Sequence, residues 1–338
     1  MVTLADVAKE AHVSKMTVSR VINHPEKVTK ELQKIVFEAM AKLDYQPNLA
    51  ARALASHKTR IIKLFILEEM TVVEPYYMTL LVGISKQLEK HGYTLQVTPK
   101  LELNPGLCDG YIITGLRELD YSKLAAFHKP LILFGDNRHG YDFVDNDNYE
   151  GLRLATHYAL KCGYEHLVYV GTDIEEPFEL KRRQGYLDVL AESKLQSELY
   201  FCANHSHVAA NLIKAKVAQW QANTCFICAS DRIALGVSRA LKASGKAVGE
   251  DFGVIGHDGV FLDQVGDLTT IKQPILEMGQ ALVEILLAKI NGQDSSNYQR
   301  IYKSKLVVRT STRKETDAYA ELRINIFVIN RCKAPITR

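Results

Sequence analysis

The sequence predicts an α/β core of two doubly wound parallel-sheet subdomains, preceded by a small all-α helix-turn-helix headpiece. Three observations predict it. Short amphipathic helical patterns fill the first 46 residues, the first two joined by a tight turn at His12-Val13. From Ile61 onward, apolar strand-like runs alternate with amphipathic helical stretches, the pattern of parallel sheets covered by helices. That alternation nearly restarts after Cys162 and contains too many units for one ordinary sheet, so two similar subdomains enclose a cleft. Ligands bind such sheets at the carboxyl ends of their strands.

Charge separates the two parts. The chain has 338 residues with net charge +3. Residues 1–60 hold ten Lys/Arg against six acids, and the remainder thirty-two against thirty-three, so the basic excess sits in the headpiece. A small nucleic-acid-binding module requires such an excess. The apolar run Ile61–Leu67 is broken by Lys63, and no stretch is long and apolar enough to span a membrane. The opening MVTLADVAKEAH carries charges at short intervals and has no signal-peptide apolar region. Six scattered cysteines make no disulfide framework, and the expected location is the cytoplasm.

In the headpiece, Thr3 and Asp6 form a capping-box pattern ahead of Leu4, Val7, Ala8 and Ala11. Ser14 can cap a second helix, Lys15 to Asn23, whose inner face is Val18, Val21 and Ile22. Thr29 can cap a third, with Leu32, Ile35, Val36, Ala39 and Leu43 on one side. A helix-turn-helix lays its second helix in the major groove. Lys15, Met16 and Arg20 lie toward one side and can reach base edges, Arg20 being suited to a bidentate contact with guanine. Thr3, Ser14, Thr17, Ser19 and Asn23 are short donors suited to phosphates. Asn48 can cap a further short helix containing Ala51 and Leu54. Its apolar side is too small to bury itself, which fits a helix that forms when paired, with Leu54 as a minor-groove wedge. A plain linker helix is the alternative.

Residues 2–59 resemble the headpiece and hinge of the LacI/GalR family, through T-L-x-D-V-A, V-S-x-x-T-V-S-R-V-I-N, Y-x-P-N and A-x-x-L-A. His12 stands where the family usually has glycine. The resemblance continues to about residue 313 through E-P-Y-Y, V-D-N-D-N-Y-E-G, K-R-R-Q-G-Y, A-S-D-R-I-A-L-G, V-I-G-H-D and L-T-T-I-K-Q-P. It implies a periplasmic-binding-protein-like core whose chain crosses three times between subdomains, near residues 160, 272–290 and 303. The implied organisation is a headpiece at 1–46, a hinge at 47–59 and a core at 60–313. The first subdomain would take residues 60–160 and 290–303, and the second 161–289 and 304–313. The tail 314–338 lies beyond the family pattern.

Candidate effector contacts follow from the same motifs. Tyr76 and Tyr77 offer faces for a sugar ring; ordinary packing at a helix start is the alternative. Arg182 aligns with the family's ligand-clamping arginine, and Asp258 follows a strand end where it can accept from two hydroxyls; a buried structural ion pair is the alternative. Ser230 stands where relatives often carry asparagine, and Phe178 and Ile275 are placed along the cleft. Gly135 and Asp136 depart from the family's aspartate and arginine, and residues 99–109 are too short for the helix usual there.

Cys225-x-x-Cys228 lies in an apolar strand run and reads as core, and His205-Ser206-His207 as a loop. No phosphate loop, nucleophile elbow or G-x-G-x-x-G occurs, so neither an enzyme nor a cofactor is expected. The resemblance implies a homodimeric regulator, a repressor of sugar-utilisation genes, on pseudo-palindromic operator DNA, with Ile233 and Leu235 helping to form the dimer interface. No leucine-heptad tail for tetramers is visible. A purine- or phosphoprotein-responsive member of the family is the alternative. Leu54→Ala is expected to weaken operator binding while sparing random-sequence DNA, because non-specific binding is electrostatic and uses no wedge. Parallel titrations of both duplexes check this, and equal losses would make Leu54 a packing residue.

Overall fold

The computed structural model describes residues 2–23, 25–45, 58–68, 74–101, 106–260, 266–293 and 298–314. The expectations for Asn48, Ala51, Leu54 and the tail beyond 314 fall outside these residues, as does the side chain of Asn23.

In the headpiece, α1 (Leu4–Glu10), α2 (Lys15–Asn23) and α3 (Lys30–Lys42) surround a core of Val7, Ala8, Val18, Val21, Val36 and Ala39. Asp6 reaches back to the start of α1, its carboxylate accepting from the Thr3 backbone N–H at 2.8 Å and the Thr3 hydroxyl at 2.7 Å. Ser14 caps α2, its Oγ accepting from the Thr17 N–H at 3.0 Å. Thr29 caps α3, accepting from the Leu32 N–H at 3.4 Å. His12 turns the chain between α1 and α2 with φ +51°, the left-handed conformation that the glycine usual in this turn adopts without a Cβ penalty. Ile35 is 48 % exposed, so only part of the apolar side of α3 faces this core.

The core unit contains two sheets. Among the described residues the first runs β11 (Gln299–Tyr302), β5 (Phe143–Asn146), β4 (Leu131–Phe134), β3 (Gly110–Thr114), β1 (Ile61–Ile66), β2 (Thr94–Thr98). The second runs β12 (Lys305–Val307), β10 (Thr269–Lys272), β9 (Phe252–Asp258), β8 (Thr224–Cys228), β6 (His166–Thr172), β7 (Glu198–Cys202). β12 is antiparallel to β10, and the other registered pairs are parallel. Central strands such as β3 and β8 are buried at every position, as strands covered on both faces must be. Cys225 and Cys228 lie in β8 and are fully buried.

The helices are α4 (Pro75–Lys90), the single turn α5 (Tyr121–Leu124), α6 (Asn148–Lys161), α7 (Pro177–Glu192), α8 (Ser206–Lys216), α9 (Asp231–Ala243) and α10 (Ile275–Ile290). No helix lies between β2 and β3 among the described residues. Nor is any described helix long and apolar enough to cross a membrane.

Packing corrects two of the expected boundaries. Leu152, Ala155, Tyr158 and Ala159 of α6 join the core of the second sheet, so the first crossing falls at Asp147 rather than near 160. Met278, Leu282, Ile285 and Leu286 of α10 join the core of the first sheet, so the second crossing falls at Gln273-Pro274 and residues 275–289 belong to the first subdomain. A helix goes to whichever sheet its apolar stripe can cover, and periodicity shows the stripe without showing the sheet. The third crossing lies between β11 and β12, at Lys303-Ser304. Ile233 is fully buried beneath the second sheet and is no interface residue; Leu235 is half-buried beside it.

Helix pairs meet on glycines. A Cβ on Gly83 would stand 2.3 Å from the Leu276 carbonyl oxygen, and one on Gly185 2.3 Å from that of Tyr149. Gly185→Ala must therefore push α7 away from α6. It is expected to cost about 1–3 kcal/mol, as overpacking does, and to lower the melting temperature by about 2–4 °C per kcal/mol in calorimetry.

Candidate functional site

In the headpiece, Lys15, Met16 and Arg20 are exposed on α2, with Met16 70 % accessible despite its apolar side chain. Thr17 and Ser19 are half-buried. The Thr3 hydroxyl already donates to Asp6, and the Ser14 and Thr17 hydroxyls share a 2.8 Å bond, so these groups organise the helix starts in the free protein.

The larger site is a cavity of about 370 Å³ between the two core subdomains, at the carboxyl ends of both sheets. Its deepest cation is Arg182 of α7. The Arg182 Nε donates to Asn148 Oδ1 at 2.8 Å and Nη1 to the Ala229 carbonyl at 2.6 Å, while Nη2 stands 3.9 Å from Asp258 Oδ1. The guanidinium also lies over the Phe178 ring at 5.0 Å. Asp258 ends β9 with φ +117°, a strained conformation for a residue with a side chain, and one held where the surroundings over-determine it. Its carboxylate accepts from Gln273 Nε2 at 2.8 Å. The Gln273 side-chain oxygen accepts in turn from the Tyr76 hydroxyl at 3.1 Å. His257, fully buried beside them, is held neutral by that burial and by Arg182.

Tyr76 and Tyr77, in the first turn of α4, pack edge to face, and Tyr76 also touches Phe134. Together with Tyr121, Phe134 and Phe178 they form the aromatic lining. Ser230 lines the cavity, but its Oγ caps α9 by accepting from the Ile233 N–H at 3.1 Å, and its hydroxyl donates to Asn204 Oδ1 at 2.6 Å. Six of the seven expected effector residues thus line one cavity. Ile275 does not: it is 3 % exposed in the core of the first subdomain, at the first residue of α10.

Sequence reasoning passed over Asp145, Glu68, Arg117, Glu176 and the pair Glu74–Arg232 and noted Asp136 only as a departure from the family; all of these line the cavity. Asp145 is buried at the end of β5, accepting from the Asp136 N–H at 3.0 Å and Asn148 Nδ2 at 3.1 Å; burial raises its carboxyl. Glu74–Arg232 and Asp136–Lys181 are ion pairs that join the two subdomains, and Arg117 stands 3.9 Å from Glu176 across the same gap. Asp136 departs from the family, and its charge is spent on Lys181. Gly135 beside it has φ +118°. Asp145 sits within V-D-N-D-N-Y-E-G, Glu74 within E-P-Y-Y and Arg232 within A-S-D-R-I-A-L-G, whereas Glu68, Arg117 and Glu176 have no quoted motif around them.

A helix-turn-helix headpiece with an exposed second-helix face, and a two-lobed α/β core closing on a polar, aromatic-lined cleft, define a ligand-responsive DNA-binding regulator. Residues 3–48 match the model of bacterial regulatory proteins of the lacI family, and residues 156–312 that of the periplasmic binding protein-like domain. The chain is 48 % identical to the HTH-type transcriptional regulator YvdE of Bacillus subtilis over 315 residues, covering 92 % of this chain and all of that one. It is 28 % identical to the ribose operon repressor of Halalkalibacterium halodurans, covering 93 % and 98 %. The chain belongs to the LacI family. Among solved structures, the Lac repressor dimer bound to operator and the anti-inducer ONPF shares the fold with TM-score 0.79 at 24 % identity, covering 93 % of this chain and 99 % of that one. The CelR–cellobiose complex shares it with TM-score 0.69 at 23 % identity, covering 92 % and 100 %.

Burial raises the carboxyl of Asp231 most, with the charge of Asp258 adding to it; burial likewise raises Asp258, with Arg182 opposing. Raised carboxyls favour the neutral form in the folded state, so their contribution is complete at acid pH and is lost as pH rises from about 4 to about 8. Asp231→Asn is expected to flatten that decline in thermal stability between pH 6 and 8. An unchanged slope in melting temperature against pH would place the titration elsewhere.

Proposed function

We propose that the protein is a homodimeric repressor of sugar-utilisation genes whose cleft binds a neutral sugar and couples its occupancy to operator binding. One observation carries the sugar reading. Arg182 is locked by Asn148 and Ala229, yet its remaining nitrogen stops 3.9 Å short of Asp258, too far for a direct hydrogen bond. A vicinal diol inserted there can accept from the guanidinium and donate to the carboxylate. The aromatic rings of Tyr76, Tyr77 and Phe178 supply faces for the C–H side of a sugar ring.

Charge selects against anions. The described residues lining the cavity include seven carboxylates (Glu68, Glu74, Asp136, Asp145, Asp173, Glu176 and Asp258) against three arginines, a setting that repels phosphate and carboxylate ligands. The sugar-bound and operator-bound relatives support the same reading. Paired headpieces would read half-sites related by the two-fold axis, Arg20 toward a base edge and Thr17 and Ser19 toward phosphates. Because effector and operator act on one equilibrium, each must change the other's affinity by the same factor.

Arg182→Ala tests the reading. The variant is expected to bind operator as a folded dimer but to lose at least tenfold in effector affinity, as removal of a charge-assisted partner does. A thermal-shift screen identifies the effector, since a ligand at a hundred times its dissociation constant adds about 2.7 kcal/mol. Loss of operator binding together with thermal stability would make Arg182 a structural residue, and a response to purines alone would replace the sugar reading.

A further inference from the structure

We infer that the cleft holds a second ring subsite, built on Arg117, and that the effector is a neutral disaccharide; this rests on the sugar reading above. The cavity has a volume of about 370 Å³ and is lined by both Arg182 and Arg117. Among its polar groups, two sets of carboxylates around an arginine share no hydrogen bond with each other among the described residues. The inner set is Arg182, Asp258 and Asp145, tied together through Asn148 and Gln273. The outer set is Glu68, Arg117 and Glu176. Arg117 and Glu68 are 37 % and 32 % exposed, against 9 % and 16 % for Arg182 and Asp258, which places the outer set nearer the mouth. Tyr77 lines the same cavity; burial raises its phenol most, and the charges of both Glu68 and Asp258 add to that.

The outer set has the form of a ring clamp. Arg117 follows the end of β3, and its Nη2 donates to both carboxylate oxygens of Glu68, at 2.8 and 3.0 Å. Its Nε faces Glu176 of the second subdomain at 3.9 Å, a gap that a hydroxyl can bridge. Nη1 has no acceptor among the described residues. The guanidinium fork is therefore fixed in place with donor capacity to spare, as recognition of adjacent hydroxyls requires. Tyr121 adds a platform: its ring lines the cavity, is backed by His139 at 3.9 Å and 22°, and its phenol is pushed up to about 12 by burial and by Glu176. With Glu68 and Glu176 on either side of one arginine, the subsite suits an uncharged ring and repels a phosphorylated one.

Calorimetric titration of the full-length protein with maltose, cellobiose and lactose, each compared with glucose and galactose, tests this. At least one disaccharide is expected to bind about tenfold or more tighter than its constituent monosaccharides, equivalent to one charge-assisted contact or more. Arg117→Ala and Tyr121→Leu should each collapse that ratio toward one, and Arg117→Lys should restore part of it only for the first position. Operator binding shows that each variant is folded. A monosaccharide binding as tightly as every disaccharide that contains it would overturn the second subsite and leave the sugar reading standing. A preserved ratio in both variants would also overturn it. Failure of every saccharide to bind would bring down both.

Discussion

A guanidinium buried between two domains has to find partners for its donors, and the geometry around Arg182 follows from that requirement. Its Nε and Nη1 are satisfied by Asn148 and the Ala229 carbonyl, which tie α7 to the start of α6 and to the end of β8. Asn148 in turn donates to Asp145 of the first subdomain. The same side chain that would clamp a ligand is thus braced by both sheets. Nη2 faces Asp258 across 3.9 Å, so the charge is balanced by proximity without a direct bond. A site that leaves a charged pair at that distance is completed by whatever bridges it.

The cleft is held by charge as well as by its three crossings. Glu74–Arg232 and Asp136–Lys181 link the lobes, and both carboxylates belong to the first subdomain. Arg117–Glu176 runs with the opposite polarity. Ion pairs between partly exposed groups contribute modestly each, about 0–1 kcal/mol. The strained backbone at Asp258 sets its carboxylate beside Gln273, at the second crossing, whose Nε2 donates to it at 2.8 Å.

Much of this was legible in the chain itself, because helices and long buried strands carry their periodicity locally. The caps Thr3, Ser14 and Thr29, the turn at His12, and strands such as β4 and β7 follow from neighbours within a few positions. The headpiece motif and the positions of Tyr76, Tyr77, Phe178, Arg182, Ser230 and Asp258 were readable for the same reason, or through motifs that include them. The short strands β5, β10, β11 and β12 were not, because three or four residues mixing Asp, Asn, Thr, Lys and Gln show no clear period.

What the tertiary structure alone decided is everything that depends on which surfaces meet. The stripes of α6 and α10 were visible in sequence, but only packing assigned α6 to the second sheet and α10 to the first, moving two crossings and placing Ile275 in a core. Ile233 turned from an interface candidate into a buried residue on the same grounds. Arg117 meets Glu68 across 49 positions, and Arg232 meets Glu74 across 158. Single charged residues at such separations carry no periodic or spacing signal. Their pairing exists only once parallel strands bring their carboxyl ends to one cleft, whereas the amphipathic pattern that builds those strands and helices is a property of the chain alone.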